Sequence, residues 1–545
     1  MPDRVVSEGA RWTRFQHPVA FWLGTVACTA GVLLHLPMYI SARGMGYRMA
    51  GMRPDPAMIV GMVLIGAGLA ASLYGLMPVG AGQIRRRAAR VRVRALDDAP
   101  IQRQHVALLV VMAIAITIDV MKPTTLSFVA PGVAKEYGLK SAVNARGHLP
   151  VSLLPLAGIT GTVIGSLIWG ALADRIGRRA SILFASMLFV TTAICGAMPG
   201  FSWNLLMCFL MGIAVGGMLP IAFTLMAETI PARHRGWLLV LIGGDVAGAY
   251  VITSWLAGWL TPHFSWRILW LIGMPTGLLL VGLNHWIPES PRYLLAAGHQ
   301  GPAEEIMTRF GAAVASEQDQ QPERAETRVR DSFLQLFRAP FAGTTLAVAI
   351  LAIGAGLVTY GFQLWIPTNL QHLGFTAVNS DYIVRNAALI GLPLTVAVAL
   401  LYGFWSSKNT IILLAGLTAL ALFGFVIAGN SLAHHHLLLS ALLVVPLSGI
   451  SSVAAVVLAY SSEIYPTRIR SRGAGLVAGM TKAGGVLIIA LVVAATTIPS
   501  IAETALIGAI PLVVAMVAFA LTGPQTHRRR LEEIVRGELA VADTP

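Results

Sequence analysis

The chain has 545 residues, of which 56% are hydrophobic and 12% charged, and its 39 Lys and Arg against 25 Asp and Glu give a formal net charge of +14. Soluble domains run at roughly 45–50% apolar and about 25% charged, so this composition excludes a string of soluble domains and points to a membrane. The basic residues gather in short connections between apolar runs, which fits membrane topology and argues against a nucleic-acid surface.

Taken in order, the apolar runs predict fourteen helices, near residues 18–41, 56–80, 105–130, 149–171, 180–198, 202–227, 237–260, 267–287, 342–367, 383–403, 410–430, 436–461, 473–497 and 501–522. About 20 apolar residues suffice to cross about 30 Å of hydrocarbon. The start, "MPDRVVSEGARWTRFQHPVAFWLG", lacks the short apolar core and small-residue cleavage site of a removed signal peptide, so the first span is expected to stay in the mature chain. Residues 1–100 therefore read as an N-terminal two-helix membrane unit with a basic linker. That linker, "AGQIRRRAARVRVRALDDAPIQRQ" (81–104), suits a surface of anionic lipid or serves as stop-transfer charge.

Residues 101–288 read as an N-terminal six-helix bundle, 289–340 as an inter-bundle linker, 341–523 as a C-terminal six-helix bundle and 524–545 as a tail. The linker stretches "AEEIMTRF" and "RAETRVRDSFLQLF" look like amphipathic helices. With the N-terminus inside, most Lys and Arg fall on one side, which predicts cytoplasmic termini in a bacterial-type inner membrane. Cys28, Cys195 and Cys208 all lie in apolar runs and match neither a disulfide framework nor a metal site. No cofactor, metal or nucleic acid is expected. The "AHHH" of 433–436 reads as a solvated loop tip.

The two halves repeat. "AETIPARHRG" (227–236) matches "SEIYPTRIRSRG" (462–473), so that Glu228, Pro231 and Arg235 recur at one constant offset as Glu463, Pro466 and Arg470. Each set ends the fourth helix of its half and enters the fifth. Many transporters are built from such repeated bundles with the substrate between them.

The connection after the second helix of the first half reads "GALADRIGRR", with Gly170, Asp174, Arg175, Gly177, Arg178 and Arg179. It resembles the loop signature of the major facilitator superfamily. "PESPRYLL" (288–295), the paired E-x-x-P-x-x-x-R segments and "PQTHRRRLEEI" (524–534) extend the resemblance to sugar-porter-like, metabolite:proton symporter members over residues 105–540. The resemblance implies an all-α polytopic membrane protein of two six-helix bundles, here with two extra N-terminal helices. It also implies a cytoplasmic gating network of Gly170, Asp174, Arg175, Arg178, Arg179, Glu228, Arg235, Glu289, Arg292, Glu463 and Arg470. In that network arginines would pair with Glu228, Glu289 and Glu463 and separate when the cytoplasmic side opens. Departures are also visible: "YGFWSSKNT" carries Ser407 where an acid is expected, and "GLVTYGFQLWIPTNLQ" lacks the Gln-Gln and Asn pattern with which sugar porters hold hexoses. "FQLWIPTNL" is similar instead to the "WLPT" segment of organic-acid and aromatic-acid proton symporters.

Charges within apolar spans normally face a cavity or a partner. Asp119, Lys122, Asp245 and Lys482 are the candidates. Asp119 reads as a proton carrier or as the static partner of Lys122, one turn on. Counted from Gly236 and Gly473, Asp245 and Lys482 occupy the same place in their helices, about 13–14 Å deep. The resemblance sets these helices across the central cavity, so the two charges read as a gated or a permanent pair. Tyr360, Gln363, Trp365 and Asn369 are the substrate-cavity candidates, Trp365 also as an interface anchor.

The expected function is secondary active transport of a small organic solute, an organic acid by preference, by alternating access with proton symport. Expected partners are that solute, protons and membrane lipid, with the protein a monomer. Efflux by proton antiport and a non-transporting nutrient sensor are the alternatives. An enzyme is not expected, because no nucleophile-base or metal-ligand set and no G-x-x-x-x-G-K-[ST] motif occurs.

Overall fold

The computed structural model describes residues 17–77, 96, 99–141, 144, 146–312, 333–339, 341–465, 467–495 and 500–523, and among them the ordered elements are helices. The helices used below are, in chain order, α1 (Pro18–Leu33), α2 (Pro56–Leu76), α3 (Arg103–Tyr137), α4 (Leu153–Ile176), α5 (Arg178–Thr191), α6 (Phe201–Thr229), α7 (Ala232–Gly243), α8 (Val246–Phe264), α9 (Ile268–Leu271) and α10 (Gly273–Gly282), with a short helix Leu36–Ser41 between the first two. After the short α11 (Pro291–Ala296) and α12 (Gln300–Arg309) come α13 (Ala342–Leu357), α14 (Ile366–His372), α15 (Ala377–Leu400), α16 (Ser407–Ala428), α17 (His436–Ile464), α18 (Thr467–Ala495) and α19 (Ile501–Thr522). Thirteen helical stretches among the described residues are long and apolar enough to span a membrane, with Leu153–Trp169 as a shorter apolar helix. The expected all-α polytopic fold is therefore present.

Helix ends follow local chemistry. Asp55 accepts from the Ala57 N–H at 3.0 Å and Pro56 fills the first position of α2, where a missing N–H costs nothing. Gly138, at φ 64°, closes α3 in the left-handed conformation. Thr376 caps α15 at Asn379, so this helix begins six residues before the expected 383. "AEEIMTRF" falls in α12 and its following turn, whereas most of "RAETRVRDSFLQLF" lies outside the described residues.

Two long spans are interrupted. Between α7 and α8 the pair Gly244-Asp245 leaves helical geometry; the glycines at 243 and 244 weaken the helix there. Asp245 then stands just before α8, where an aspartate caps a helix, with its Oδ1 2.6 Å from where a Cβ on Gly248 would lie. The second break follows α13, where a π-helical turn (Val358–Phe362) and a 3₁₀ turn (Gln363–Trp365) precede α14. Such irregular turns inside helices often mark functional positions.

The chain divides into two compact units: Met1–Gly138, Leu153–Arg235 and Trp259–Ser316 form unit 1, and Leu139–Ser152, Gly236–Gly258 and Glu317–Pro545 form unit 2. In unit 1, α1 and α2 make a hairpin joined by glycines. A Cβ on Gly31 would lie 2.6 Å from the Gly61 carbonyl and one on Gly61 would lie 2.6 Å from that of Gly31, so only glycine lets the backbones come this close. The hairpin packs on α5: Phe21, Cys28 and Leu76 share a buried cluster with Leu183, Met187 and Val281.

Candidate functional site

The polar residues of the interrupted helix in unit 2 are buried. Gln363 donates through Nε2 to the carbonyls of Pro446 and Leu447 on α17, at 2.8 and 3.0 Å. Its Oε1 has no hydrogen-bond partner among the described residues, and the same holds for Trp365 Nε1, Thr368 Oγ1, Asn369 Nδ2 and Ser448 Oγ. Ser448 fills the space left by Gly391 on α15, since a Cβ there would collide with its hydroxyl. Buried polar groups are almost always paired with protein or water. A run of orphan donors and acceptors beside an aromatic ring therefore has the character of a site that accepts a polar ligand or ordered water. Trp365 is fully buried, so it is not an interface anchor. Tyr360 is half-buried on the π-helical turn. Thr368 and Ser448 escape a sequence reading because hydroxyls in apolar helices usually bond their own backbone.

The intramembrane charges divide between the units. Asp119 and Lys122, on α3 in unit 1, are 2% and 6% exposed. Lys122 Nζ donates to the Phe189 carbonyl on α5 at 3.3 Å, lies 5.6 Å from the Phe189 ring centre, and occupies the space that a side chain at position 273 would fill. Its hydrogen bond thus goes to the main chain of a neighbouring helix. Asp245 and Lys482 both belong to unit 2, and each is half-buried.

At the end of unit 1 where α5 begins, acids and arginines meet as a latch would require, but the roles differ from simple pairing. Glu289 caps α5, accepting from the N–H groups of Arg178 (2.7 Å) and Arg179 (3.4 Å), an anion at a helix N-terminus. Gly177, at φ 97°, makes this possible, since a Cβ there would strike the Glu289 carboxylate. Burial pushes the Glu289 carboxyl above its usual range, against the pull of the N–H groups of Ser290, Arg178 and Arg179. Arg178 Nε lies 3.9 Å from Glu228, whose carboxylate also accepts from the Ser290 hydroxyl. Arg179 donates to Asn284 at 3.1 Å, Arg235 to the Ile230 carbonyl, and the Arg175 carbonyl accepts from the Tyr293 hydroxyl. Arg292 is exposed. Gly170 lies in α4, whereas the side chains of Asp174, Glu463 and Arg470, and the tail from 524, lie outside the described residues.

Sequence reasoning missed a buried ion pair in unit 1. Arg267, fully buried, donates to both oxygens of Glu136 at 2.7 and 3.3 Å, to the carbonyls of Gly196 and Met198 at 3.2 and 2.8 Å, and to the Tyr137 hydroxyl at 2.9 Å. Glu136 also accepts from Trp266 Nε1 and from the N–H groups of Met49 and Ala50, between α1 and α2. The extra hairpin is thereby tied to the bundle by polar as well as apolar contacts.

The helices, their interruptions and the buried polar run suit a polytopic carrier, and comparison with known proteins decides the matter: residues 107–488 match the family model described as Major Facilitator Superfamily. The chain belongs to that superfamily. It is an integral membrane transporter and not an enzyme. Its relatives include the niacin transporter NiaP of Acinetobacter baylyi, 29% identical over 72% of this chain and 88% of that protein. A gallate transporter of Pseudomonas putida is 28% identical over 72% of this chain and 85% of its own length. The 4-hydroxybenzoate transporter PcaK of A. baylyi is 26% identical over the same shares. In fold, this superfamily member is similar to the proton:xylose symporter XylE bound to 6-bromo-6-deoxy-D-glucose, with a TM-score of 0.64 and 19% identity, over 80% of this chain and 99% of that one. The hairpin α1–α2 precedes the matched region.

Proposed function

We propose that the protein imports an aromatic or heteroaromatic carboxylate by proton symport. The observation that carries this reading is the buried run of Gln363 Oε1, Trp365 Nε1, Thr368 Oγ1, Asn369 Nδ2 and Ser448 Oγ, orphaned among the described residues beside an indole ring. It offers both donors and acceptors to a flat, polar-substituted ring, and Lys482 supplies an intramembrane cation for a carboxylate. The relatives named for niacin, gallate and 4-hydroxybenzoate support the same class. In this reading Asp119 carries the coupled proton, with Lys122 fixed nearby by Phe189 and Gly273. Asp245 and Lys482 form a pair that substrate or proton binding loosens, while Glu228, Glu289 and the arginines of "GALADRIGRR" hold the cytoplasmic side, where both termini lie. Transport proceeds by alternating access.

Thermal stability of the purified protein against nicotinate, gallate, 4-hydroxybenzoate, xylose and a primary amine tests the substrate class. A ligand at 100 times its Kd stabilises by about 2.7 kcal/mol. The aromatic carboxylates should stabilise the wild type and lose that effect in Lys482→Met. Stabilisation by xylose or the amine alone would overturn the assignment.

A further inference from the structure

Asp381, on the second turn of α15 in unit 2, is 6% exposed within a helix apolar enough to span the membrane. It makes no hydrogen bond or ion pair among the described residues. A natural counter-charge stands one turn on, because an acid four residues before an arginine is the favourable order for a helical ion pair. Arg385 nevertheless points elsewhere. Its guanidinium lies 4.5 Å from the centre of the Tyr382 ring, and its Nε and Nη2 donate to Asn386 Oδ1 at 3.0 and 2.8 Å.

Burying an ionised carboxylate without a partner is costly, and the cost vanishes on protonation. The observed arrangement, with the cation turned away, is the one expected of a neutral carboxyl. Other titratable groups on the elements packed against α15 are His372 on α14, His436 on α17, Tyr402 in the turn that ends α15, and Asp245 and Tyr250 on the α8 side. Among the described residues none is in hydrogen-bond or ion-pair contact with Asp381.

The ring that holds Arg385 also seats the helix. A Cβ on Gly258 would lie 2.5 Å from Tyr382 Cε1, and Thr395 Oγ1 donates to the Gly244 carbonyl at 3.4 Å. Tyr382 and Thr395 thus place α15 along the segment that carries Asp245. We propose that Asp381 is a protonatable catch on α15: while its carboxyl is protonated Arg385 stays on Tyr382, and when the proton leaves Arg385 crosses one turn to pair with the carboxylate. One proton passes from the carboxyl to water, the Arg385 bonds to Asn386 break, and the ion pair replaces them. Lifting Arg385 from Tyr382 alters the contact of α15 with Gly258, which makes the transport rate sensitive to pH independently of the proton assigned to Asp119.

Infrared difference titration of the purified full-length protein in lipid reads the carboxyl directly and needs no substrate. The wild type should show a carboxylic-acid C=O band that titrates with pH and is missing in Asp381→Asn. In Arg385→Gln its midpoint should move to higher pH, because the deprotonated form has lost its partner. An unchanged band in Asp381→Asn overturns the proposal, as does an unmoved midpoint in Arg385→Gln, which also covers a failure of Asp381→Asn to fold. A band whose midpoint follows sodium concentration assigns the site to a metal cation and overturns it too. In vesicles, 4-hydroxybenzoate counterflow by Asp119→Asn should still vary with symmetric pH, and that by Asp119→Asn combined with Asp381→Asn should not. Absence of any counterflow would count against the substrate class proposed above, while the infrared titration would still decide the role of Asp381.

Discussion

Replacing Glu136 with alanine tests whether the N-terminal hairpin is an integral part of unit 1. The substitution removes the acceptor of five N–H groups: Met49, Ala50, Trp266 Nε1, and the Nε and Nη2 of Arg267. It also leaves a fully buried guanidinium whose remaining hydrogen-bond acceptors among the described residues are the Gly196 and Met198 carbonyls and the Tyr137 hydroxyl. Breaking a buried pair by deleting one partner costs about 3–5 kcal/mol, and the tight burial of Arg267 puts the expected loss at that level. Because part of the cost is the stranded cation, Glu136→Ala with Arg267→Met should be less damaging than the two single changes summed, with a coupling of about 1–3 kcal/mol. Denaturant unfolding in micelles measures the loss, and amide hydrogen exchange at Met49 and Ala50 reports whether the hairpin loop has come away. The reasoning is refuted if Glu136→Ala stays within about 0.5 kcal/mol of wild type and those two amides exchange no faster.

Glu289 gives a pH prediction of definite sign. Burial raises its carboxyl above the ordinary value of 4.5, so its contribution to stability is fully present below that value and is lost as pH rises through the folded-state value. The stability of wild type relative to Glu289→Gln should therefore fall as pH is raised above 4.5, and a difference that is flat or rises with pH contradicts the assignment. Asp119→Asn should abolish substrate accumulation driven by a pH gradient while leaving counterflow in place; retained accumulation removes Asp119 as the proton carrier.

What is legible in the sequence follows from the range of the interactions. Span positions and the repeat of Glu228 and Arg235 in Glu463 and Arg470 are local patterns, and so is the "GALADRIGRR" connection; the helical fold and the family follow from them. The interruption at Gly244 and Asp245 is local too, but a window long enough to detect a span averages over it, so Asp245 reads as a charge inside a continuous helix rather than at the head of a new one. Glu136 and Arg267 lie 131 residues apart, and each alone reads as a rim charge; only folding makes them one network. Asp381 is hidden in a connection when hydropathy starts that span at 383, whereas the Thr376 cap starts the helix earlier. The spacing of Asp119 and Lys122 is a property of one helix, but the contact of Lys122 with Phe189 depends on the missing side chain at Gly273, a fact of packing between α3, α5 and α10 that no pattern within one helix reveals.

The central claim is proton-driven carriage of an aromatic carboxylate, and uptake into proteoliposomes tests it most directly. Radiolabelled 4-hydroxybenzoate should accumulate above its outside concentration when the outside is more acidic than the inside, and the gradient should collapse to simple equilibration when a protonophore is added. Equilibration alone under both conditions, or accumulation only when the gradient is reversed, would contradict symport.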